Sequence, residues 1–348
     1  MDGFYSSFKD IYMSVPEISL PNEVIDNEEV IQRVKNNFKG TDEEFIKIKR
    51  GLEKSFYFSG SNTRYSEESG EEKIGINAAE TAKNLLNKMN ISPNEVDMVI
   101  YGSVTRPYLE PSVAAEVASR LGVKNAHVFD VNCACSSLLQ AIYTGAVFLN
   151  SHKELNYVVC CACEYPMSAV DYNIQSMKEL LLKSSAFSLG SASAAVILAR
   201  KPFKNNGFRL HSFRNRTYTD IWDASITPLV GSIETNSLVI EDAIHEILPE
   251  EIYGHVKFLN WKIEDLKQLI FHQPGDFFIR WVINNFPEVN EEKILKVHQY
   301  YGYTASTSVL LALDHYIQNN TLDNGDKMLL VVPGAGLSIL AAGVSWEG

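Results

Sequence analysis

The run Asp130-Val131-Asn132-Cys133-Ala134-Cys135-Ser136-Ser137-Leu138 decides how this chain is read. Before it, residues 127–131 have the β-branched and aromatic character of a strand. After it, Leu138, Leu139, Ile142, Tyr143, Ala146, Val147 and Leu149 make residues 136–149 apolar on nearly every side. That pattern predicts a helix buried at the centre of the protein rather than laid on its surface. Cys135 stands at the junction, where the free N–H groups and dipole of a helix N-terminus favour thiolate over thiol. The same N–H groups can hold the oxyanion formed when a thiolate attacks a thioester. A cysteine there also suits a small core residue, and the local sequence leaves both readings open. Cys133 lacks the helix terminus and reads as structural.

Working outward, Ala79, Ala82, Leu86 and Met89 share a helix face that Ser92-Pro93-Asn94 ends, and residues 98–101 follow as a strand. Val113, Val117 and Leu121 mark a second helix, with Gly122 placed to stop it. Residues 157–163 and 192–198 read as buried strands. The order then recurs. Val96-Asp97-Met98-Val99-Ile100-Tyr101 resembles Leu266-Lys267-Gln268-Leu269-Ile270-Phe271, and a helix over 306–317 answers the one after Cys135. Strands over 328–332 and 337–344 flank Pro333-Gly334-Ala335-Gly336. A duplicated α/β chain is expected, with halves at residues 1–200 and 201–348. Residues 59–73 are polar and acidic and read as a loop. His298 reads as part of a strand, in the wall of a site.

At 348 residues the chain has room for about two units of ~150 residues. Its 45% hydrophobic and 21% charged residues exclude wholesale disorder. With 43 acidic against 31 basic residues, the net charge of −12 argues against a broad nucleic-acid-binding face. Residues 1–3 show no basic leader, and the longest uncharged stretch, 328–345, is broken by Pro333 and glycines. A soluble, cytoplasmic protein is expected. Five cysteines, an odd count, make no disulfide framework. Cys160 and Cys163 have a zinc-like spacing, but they lie in an apolar run without a second pair, so a buried strand is the better reading and no metal is expected. Neither G-x-S-x-G, nor a Walker A loop, nor G-x-G-x-x-G occurs. Residues 201–216 carry five bases and no acid, against the overall sign. They read as a solvated connection, or as a docking surface for an acidic partner.

His272 follows the strand ending at Phe271 and precedes Gln273-Pro274-Gly275, a sharp turn that can aim the imidazole into a shared pocket. A capping or core histidine is the plainer alternative. Gly334-Ala335-Gly336, between two strands, is a tight turn whose backbone can approach a ligand closely and lend an N–H from Ala335.

Taken together, these segments resemble β-ketoacyl-ACP synthase III, a thiolase-fold condensing enzyme. The 130–138 run resembles its nucleophile segment, and Pro111-Ser112-Val113-Ala114-Ala115 through Leu121-Gly122-Val123 matches upstream. Ser188-Leu189-Gly190-Ser191-Ala192-Ser193 resembles its glycine-rich strand, although Ser191 stands where that motif carries Asp. Phe271-His272-Gln273-Pro274 resembles its His-Gln motif, Gly302-Tyr303-Thr304-Ala305-Ser306 its Gly-Asn-Thr motif, and Gly334-Ala335-Gly336 its oxyanion loop. The Phe-His-Gln-Pro form also resembles the condensing subunit of bacterial alkylquinolone synthesis.

The resemblance implies a five-layer α/β/α/β/α sandwich of two duplicated halves, and a homodimer or a heterodimer with a paralogue. It implies an acyl-thioester-dependent acyltransferase or condensing enzyme that needs no cofactor beyond its acyl-CoA or acyl-ACP substrate. Cys135 would carry the acyl group, His272 would take its proton, and the N–H groups of Cys135 and Ala335 would hold the oxyanion. Tyr303 stands at the family's Asn position. The departure from Asn puts decarboxylation of a malonyl thioester in doubt: the bulk of the ring points to a wall, which would leave malonyl thioesters poor substrates, with donation to an enolate beside His272 as the alternative. Phe45 and Lys49 fall where the family stacks on and pairs with coenzyme A, in a segment that also suits a solvated amphipathic helix. Glu110 falls where the family sends a side chain across the dimer interface, and a rim charge is the plainer reading. Gly334 and Gly336 would border the substrate. The rivals are an O/N-acylating or thioesterase-like relative that never decarboxylates, and a non-catalytic partner subunit.

Overall fold

The apolar run ending in Cys163 folds as a strand buried on both faces. Val158, Cys160 and Ala162 join one hydrophobic core while Val159, Cys161 and Cys163 join another, the period-two alternation of a strand with a layer on each side. All three cysteines are free and fully buried, serving as small apolar side chains.

The structure, a computed structural model, describes residues 4–67, 70–204, 206–229, 231–289 and 294–348. Residues 1–3, read above for a leader, lie outside these, as do two residues of the 59–73 segment and residue 205 of the basic stretch. The chain opens with β1 (Phe4–Ser7), β2 (Tyr12–Ser14), β3 (Glu17–Ser19), β4 (Glu23–Asp26), α1 (Asn27–Asn37), α2 (Asp42–Ser59) and β5 (Thr63–Ser66). Next come α3 (Ile74–Met89), β6 (Val96–Gly102), α4 (Val113–Leu121), β7 (His127–Val131), α5 (Ser137–Ser151), β8 (Tyr157–Glu164), α6 (Met177–Lys183) and β9 (Ala192–Ala199). β10 (Gly207–Thr217), a ribbon of β11 (Ser225–Ile226) and β12 (Glu234–Thr235), α7 (Ser237–Phe258), β13 (Leu266–Phe271) and α8 (Asp276–Asn285) follow. α9 (His298–Tyr301), α10 (Ser308–Asn319), β14 (Lys327–Gly334) and β15 (Ser338–Glu347) complete the set.

One pairing pattern occurs twice. β6 runs parallel to β8, which pairs antiparallel with β9, in the register Ile100, Cys160, Val196. Likewise β13 runs parallel to β14, which pairs antiparallel with β15, in the register Ile270, Leu330, Ala342. β2 bonds to both β9 and β10 and so joins the two sets. Between them lie α5 and α10, whose Leu138, Leu139, Ile142, Val309, Leu310 and Leu313 meet inward side chains from both sets of strands. α3 and α4 cover one outer face through Ala82, Leu85, Val113 and Val117. α7 and α8 cover the other through Leu248, Ile252, Phe278 and Val282. The result is the thiolase-type five-layer α/β/α/β/α sandwich.

Three sequence expectations change. The 59–73 segment contains β5, paired with β4. His298 begins the short helix α9, and no strand forms among described residues 294–297. The basic 201–216 stretch is largely β10, so it cannot serve as a docking surface as a whole. Arg214 is buried and grips Glu251 of α7 through Nε (2.5 Å) and Nη2 (2.9 Å). Arg209 bonds to the Lys9 carbonyl, and only Lys201 and Lys204 remain fully exposed. No helix among the described residues is long and apolar enough to cross a membrane, and no group of three or more His, Cys, Asp or Glu among them is arranged to hold a metal.

Glu251 also accepts from Arg216 (3.2 Å) and the Tyr218 hydroxyl (3.0 Å), while the Arg214 guanidinium lies 4.5 Å over the Tyr5 ring of β1. One carboxylate thus ties β1, β10 and α7 together. Removing one partner of such a buried pair strands the other charge, at a cost of about 3–5 kcal/mol. Glu251→Ala should lower the unfolding free energy by about that amount in urea titration, whereas Glu250→Ala, on the exposed side of the same helix, should cost under ~1 kcal/mol.

Candidate active site

The chain between β7 and α5 turns too sharply for ordinary backbone. Ala134 takes φ +47°, in the left-handed region that non-glycine residues rarely occupy. Ser137 holds this turn by donating from Oγ to the Ala134 carbonyl (2.6 Å) and accepting the Cys133 N–H (2.8 Å). Ser136, just before α5, makes no side-chain cap and instead donates from Oγ to the Val332 carbonyl of β14 (3.1 Å). At Gly334 a Cβ would sit 2.7 Å from Ser136 Oγ and 3.2 Å from the Cys133 carbonyl, so only glycine lets β14 pass the nucleophile turn this closely. Gly336, at φ +124°, turns the chain into β15.

His272 leaves β13 with its N–H bonded to the Val331 carbonyl (3.0 Å). Its ring is buried, with Nδ1 2.8 Å from Ser308 Oγ at the start of α10 and Nε2 2.9 Å from the Tyr303 hydroxyl. The same hydroxyl lies 2.7 Å from Cys135 Sγ and donates to it. The Tyr303 phenol stands between thiol and imidazole, its ring edge-on to His272 at 4.8 Å. The glycine-rich segment holds it from behind. The Tyr303 N–H donates to the Ser188 carbonyl (2.8 Å), and the Gly190 N–H donates to the Tyr303 carbonyl (2.9 Å). His298 is buried behind the site on Gln273 and Asp276.

Burial governs the charge state. It depresses His272 to about 3, so the imidazole is neutral at pH 7. It pushes Cys135 up to about 11. The Tyr303 hydroxyl, the Ala335 N–H and the Cys135 N–H each donate toward the sulfur and pull that value down, while the buried Glu164 carboxylate pushes it up. Desolvation outweighs the three donors, so the thiolate expected at a helix N-terminus does not prevail; α5 itself begins only after Ser136. Burial also raises the Tyr303 phenol well above its ordinary value. Thiol, phenol and imidazole all rest uncharged.

Cys135, His272, Tyr303 and the Gly334–Gly336 turn are thus brought together, and Phe45 and Lys49 lie apart from them. Phe45 packs inside the cluster formed by α1, α2 and α6, 5.6 Å from the Phe38 ring, and cannot stack on a ligand. Its helix face, read from sequence, suited either side. Lys49 is drawn to Glu28 and Glu53 on the surface. Glu110 lies exposed on the loop after β6. Two residues escaped the sequence reading. Ser308 orients His272, and Glu164 lies fully buried, accepting from the N–H groups of Val104 (2.9 Å) and Thr105 (3.2 Å) and from the Ser306 hydroxyl. The signal for Glu164 was present, as the one acid closing an otherwise apolar strand.

Comparison with known proteins agrees with this construction. Residues 71–199 match the family model of the thiolase N-terminal domain, and residues 256–346 match that of the 3-oxoacyl-[acyl-carrier-protein] synthase III C terminal. The chain is similar to the β-ketoacyl-[acyl-carrier-protein] synthase III of Wolbachia pipientis subsp. Culex pipiens (strain wPip), at 28% identity over 92% of this chain and 94% of that protein. Its fold is similar to that of OleA from Xanthomonas campestris. A cerulenin-bound form gives a TM-score of 0.89 at 20% identity, over 98% of each chain. A form with bound lauric acid and lauroyl-CoA gives 0.87 at 21%, over 97% of this chain and 100% of that one. The chain thus carries a thiolase N-terminal segment and a 3-oxoacyl-ACP synthase III C-terminal segment, and it is an acyl-thioester-dependent condensing or acyltransferase enzyme similar to β-ketoacyl-ACP synthase III.

Proposed function

We propose that Cys135 takes an acyl group from an acyl-CoA or acyl-ACP and passes it to a second substrate, with Tyr303 and His272 as the proton path. One observation carries this reading: a single hydroxyl lies 2.7 Å from Sγ and 2.9 Å from Nε2. The thiol proton moves to Tyr303 Oη as the phenol proton moves to His272 Nε2, so the tyrosine is neutral before and after. For this transfer the Tyr303 hydroxyl, which donates to Sγ at rest, turns its proton toward Nε2 and accepts the thiol proton in its place. With Nδ1–H donating to Ser308, Nε2 is free to accept. The thiolate attacks the thioester carbonyl, and its oxygen accepts from the Cys135 and Ala335 N–H groups. The substrate's C–S bond breaks, and the departing thiolate recovers the proton along the same path. A second nucleophile then attacks the acyl-cysteine, giving ping-pong kinetics.

The nucleophile comes from the half assigned to residues 1–200, and base, phenol and oxyanion turn come from the half assigned to 201–348. A phenol in the place of the family's Asn favours transfer to an oxygen, nitrogen or water nucleophile over decarboxylation of a malonyl thioester. The intact trio speaks against a non-catalytic subunit. Lauroyl-CoA held by a protein of the same fold supports an acyl-CoA donor. A cytoplasmic enzyme working as a dimer fits this reading, with the exposed Glu110 loop available to a partner.

Incubation with an acyl-CoA should add one acyl mass to the wild type and to Cys133→Ala, and none to Cys135→Ala, by intact-mass spectrometry. Loss of labelling in Cys133→Ala instead would assign the chemistry to the other sulfur.

Alkylation of Cys135 by iodoacetamide should be slow at neutral pH and rise toward about pH 11. Because the Tyr303 hydroxyl lowers the thiol pKa, Tyr303→Phe should raise it. A lost hydrogen bond of about 1–1.5 kcal/mol is roughly one pK unit, or about tenfold slower alkylation at pH 8. Acylation by acyl-CoA should slow by roughly 10²-fold in the same variant, as loss of a proton path does. Normal acylation in Tyr303→Phe would return the ring to the wall.

A further inference from the structure

Both partners of the His272 ring come from one short turn. Tyr303 at its start reaches Nε2, and Ser308 at its end reaches Nδ1. Between them Ala305 takes φ +44°, a left-handed conformation that a side chain disfavours and that persists only where the surroundings hold it. Residues 188–190 hold the Tyr303 end through its main chain. The Thr307 N–H (3.1 Å) and hydroxyl (2.8 Å) both donate to the Thr304 carbonyl, which shapes the turn without tying it to the rest of the molecule. Ser306 makes that tie. It is 1% exposed, and its hydroxyl donates to Glu164 Oε1.

Glu164 is the last residue of β8 and is fully buried. Its Oε1 also accepts the Val104 N–H and its Oε2 the Thr105 N–H, while the Thr105 hydroxyl lies 3.1 Å from Oε2. A carboxylate held from the β6 side by two main-chain donors cannot swing after Ser306, so it is a fixed post to which the turn is moored. We infer that Glu164, acting through Ser306, is the positioning residue of the Cys135–Tyr303–His272 trio. It holds the Ala305 turn in its left-handed form, and the turn keeps Tyr303 Oη on Sγ and Ser308 Oγ on the imidazole. The inference takes its purpose from the acyl-transfer reading, while its geometry concerns the resting site alone.

Glu164→Ala would strand three buried donors and put the fold at risk. Ser306→Ala removes one hydroxyl and leaves the carboxylate its charge and both N–H partners. The readout is iodoacetamide alkylation of Cys135 against pH in a Cys133→Ala background, where the other three cysteines are fully buried. The groups bearing on that thiol are the Tyr303 hydroxyl with His272 behind it, the Ala335 and Cys135 N–H groups, and the Glu164 carboxylate. Ser306→Ala displaces the first of these, so alkylation at pH 8 should slow several-fold, toward the about tenfold of Tyr303→Phe. The double variant Ser306→Ala/Tyr303→Phe should be no slower than Tyr303→Phe alone. A merely structural loss has the opposite sign, since water reaching the sulfur lowers its pKa and speeds alkylation. Unchanged or faster alkylation, or an added effect in the double variant, would overturn the inference. Acylation by acyl-CoA should slow alongside. Slowed alkylation with wild-type acylation would uphold the positioning and overturn the proton path, so the two fail separately.

Discussion

A phenol can touch a thiol and an imidazole at once only if its ring has nowhere else to go, and much of the molecule is arranged around that requirement. The Tyr303 main chain is bonded on both sides to residues 188–190. A Cβ at Gly190 would come 2.3 Å from the Tyr301 carbonyl, so the two segments lie as close as backbones can. The thiol is offered from the other side by a turn strained at Ala134, and the imidazole is locked by Ser308. Each anchor belongs to a different strand end or helix start, and the five-layer stack brings those ends to one place. Strain at Ala134 is the local cost of aiming Sγ at a point chosen by the rest of the fold.

The electrostatic state of the trio follows from the same enclosure. A thiol with a pKa near 11 is ionised only to about one part in 10⁴ at pH 7. A free thiolate would be more reactive, but toward every electrophile and oxidant that reached it. Here the sulfur is activated only when a proton can leave through Tyr303 to His272, and three donors already face the charge that results. The arrangement separates readiness from reactivity: the hydrogen bonds of the thiolate are built in, while its charge is withheld by burial. Glu164, buried on the same side, adds to that restraint.

The sequence showed the architecture well, because layers impose periodicity. A strand flanked on both faces must be apolar throughout, and a helix between two sheets must be apolar all round, so 157–163 and 136–149 could be read directly. β5 escaped because Thr63-Arg64-Tyr65-Ser66 is polar, although two of its four side chains point into a core. Phe45 was set against a ligand by resemblance and packs in a core, and periodicity could not decide, since it shows that a helix has two faces without showing which one is covered. Cys135 and His272 could be picked out by their positions at strand ends. The place of Tyr303 between them could not, since it depends on a 2.7 Å contact between segments 168 residues apart. Nor could the thiol's pKa, because a helix terminus is visible in sequence and desolvation is not.

The sheet order has a consequence for how such a chain is made. β15 lies between β14 and β10, and β1 pairs with β10 near the middle of the sheet path. The strand farthest along the chain is therefore an interior plank, while edge strand β7 is made early. On a ribosome adding roughly 5–20 residues per second, β10 would stand for several seconds with its β15 side bare. β1, already synthesised, has to wait for β10 across some two hundred residues. A nascent chain paused before residue 338 would hold two part-sheets, each with an unsatisfied inner edge, and such edges invite pairing with strangers. Prompt passage through the final segment, or a chaperone that shields those edges meanwhile, is a demand that this topology places on its cell.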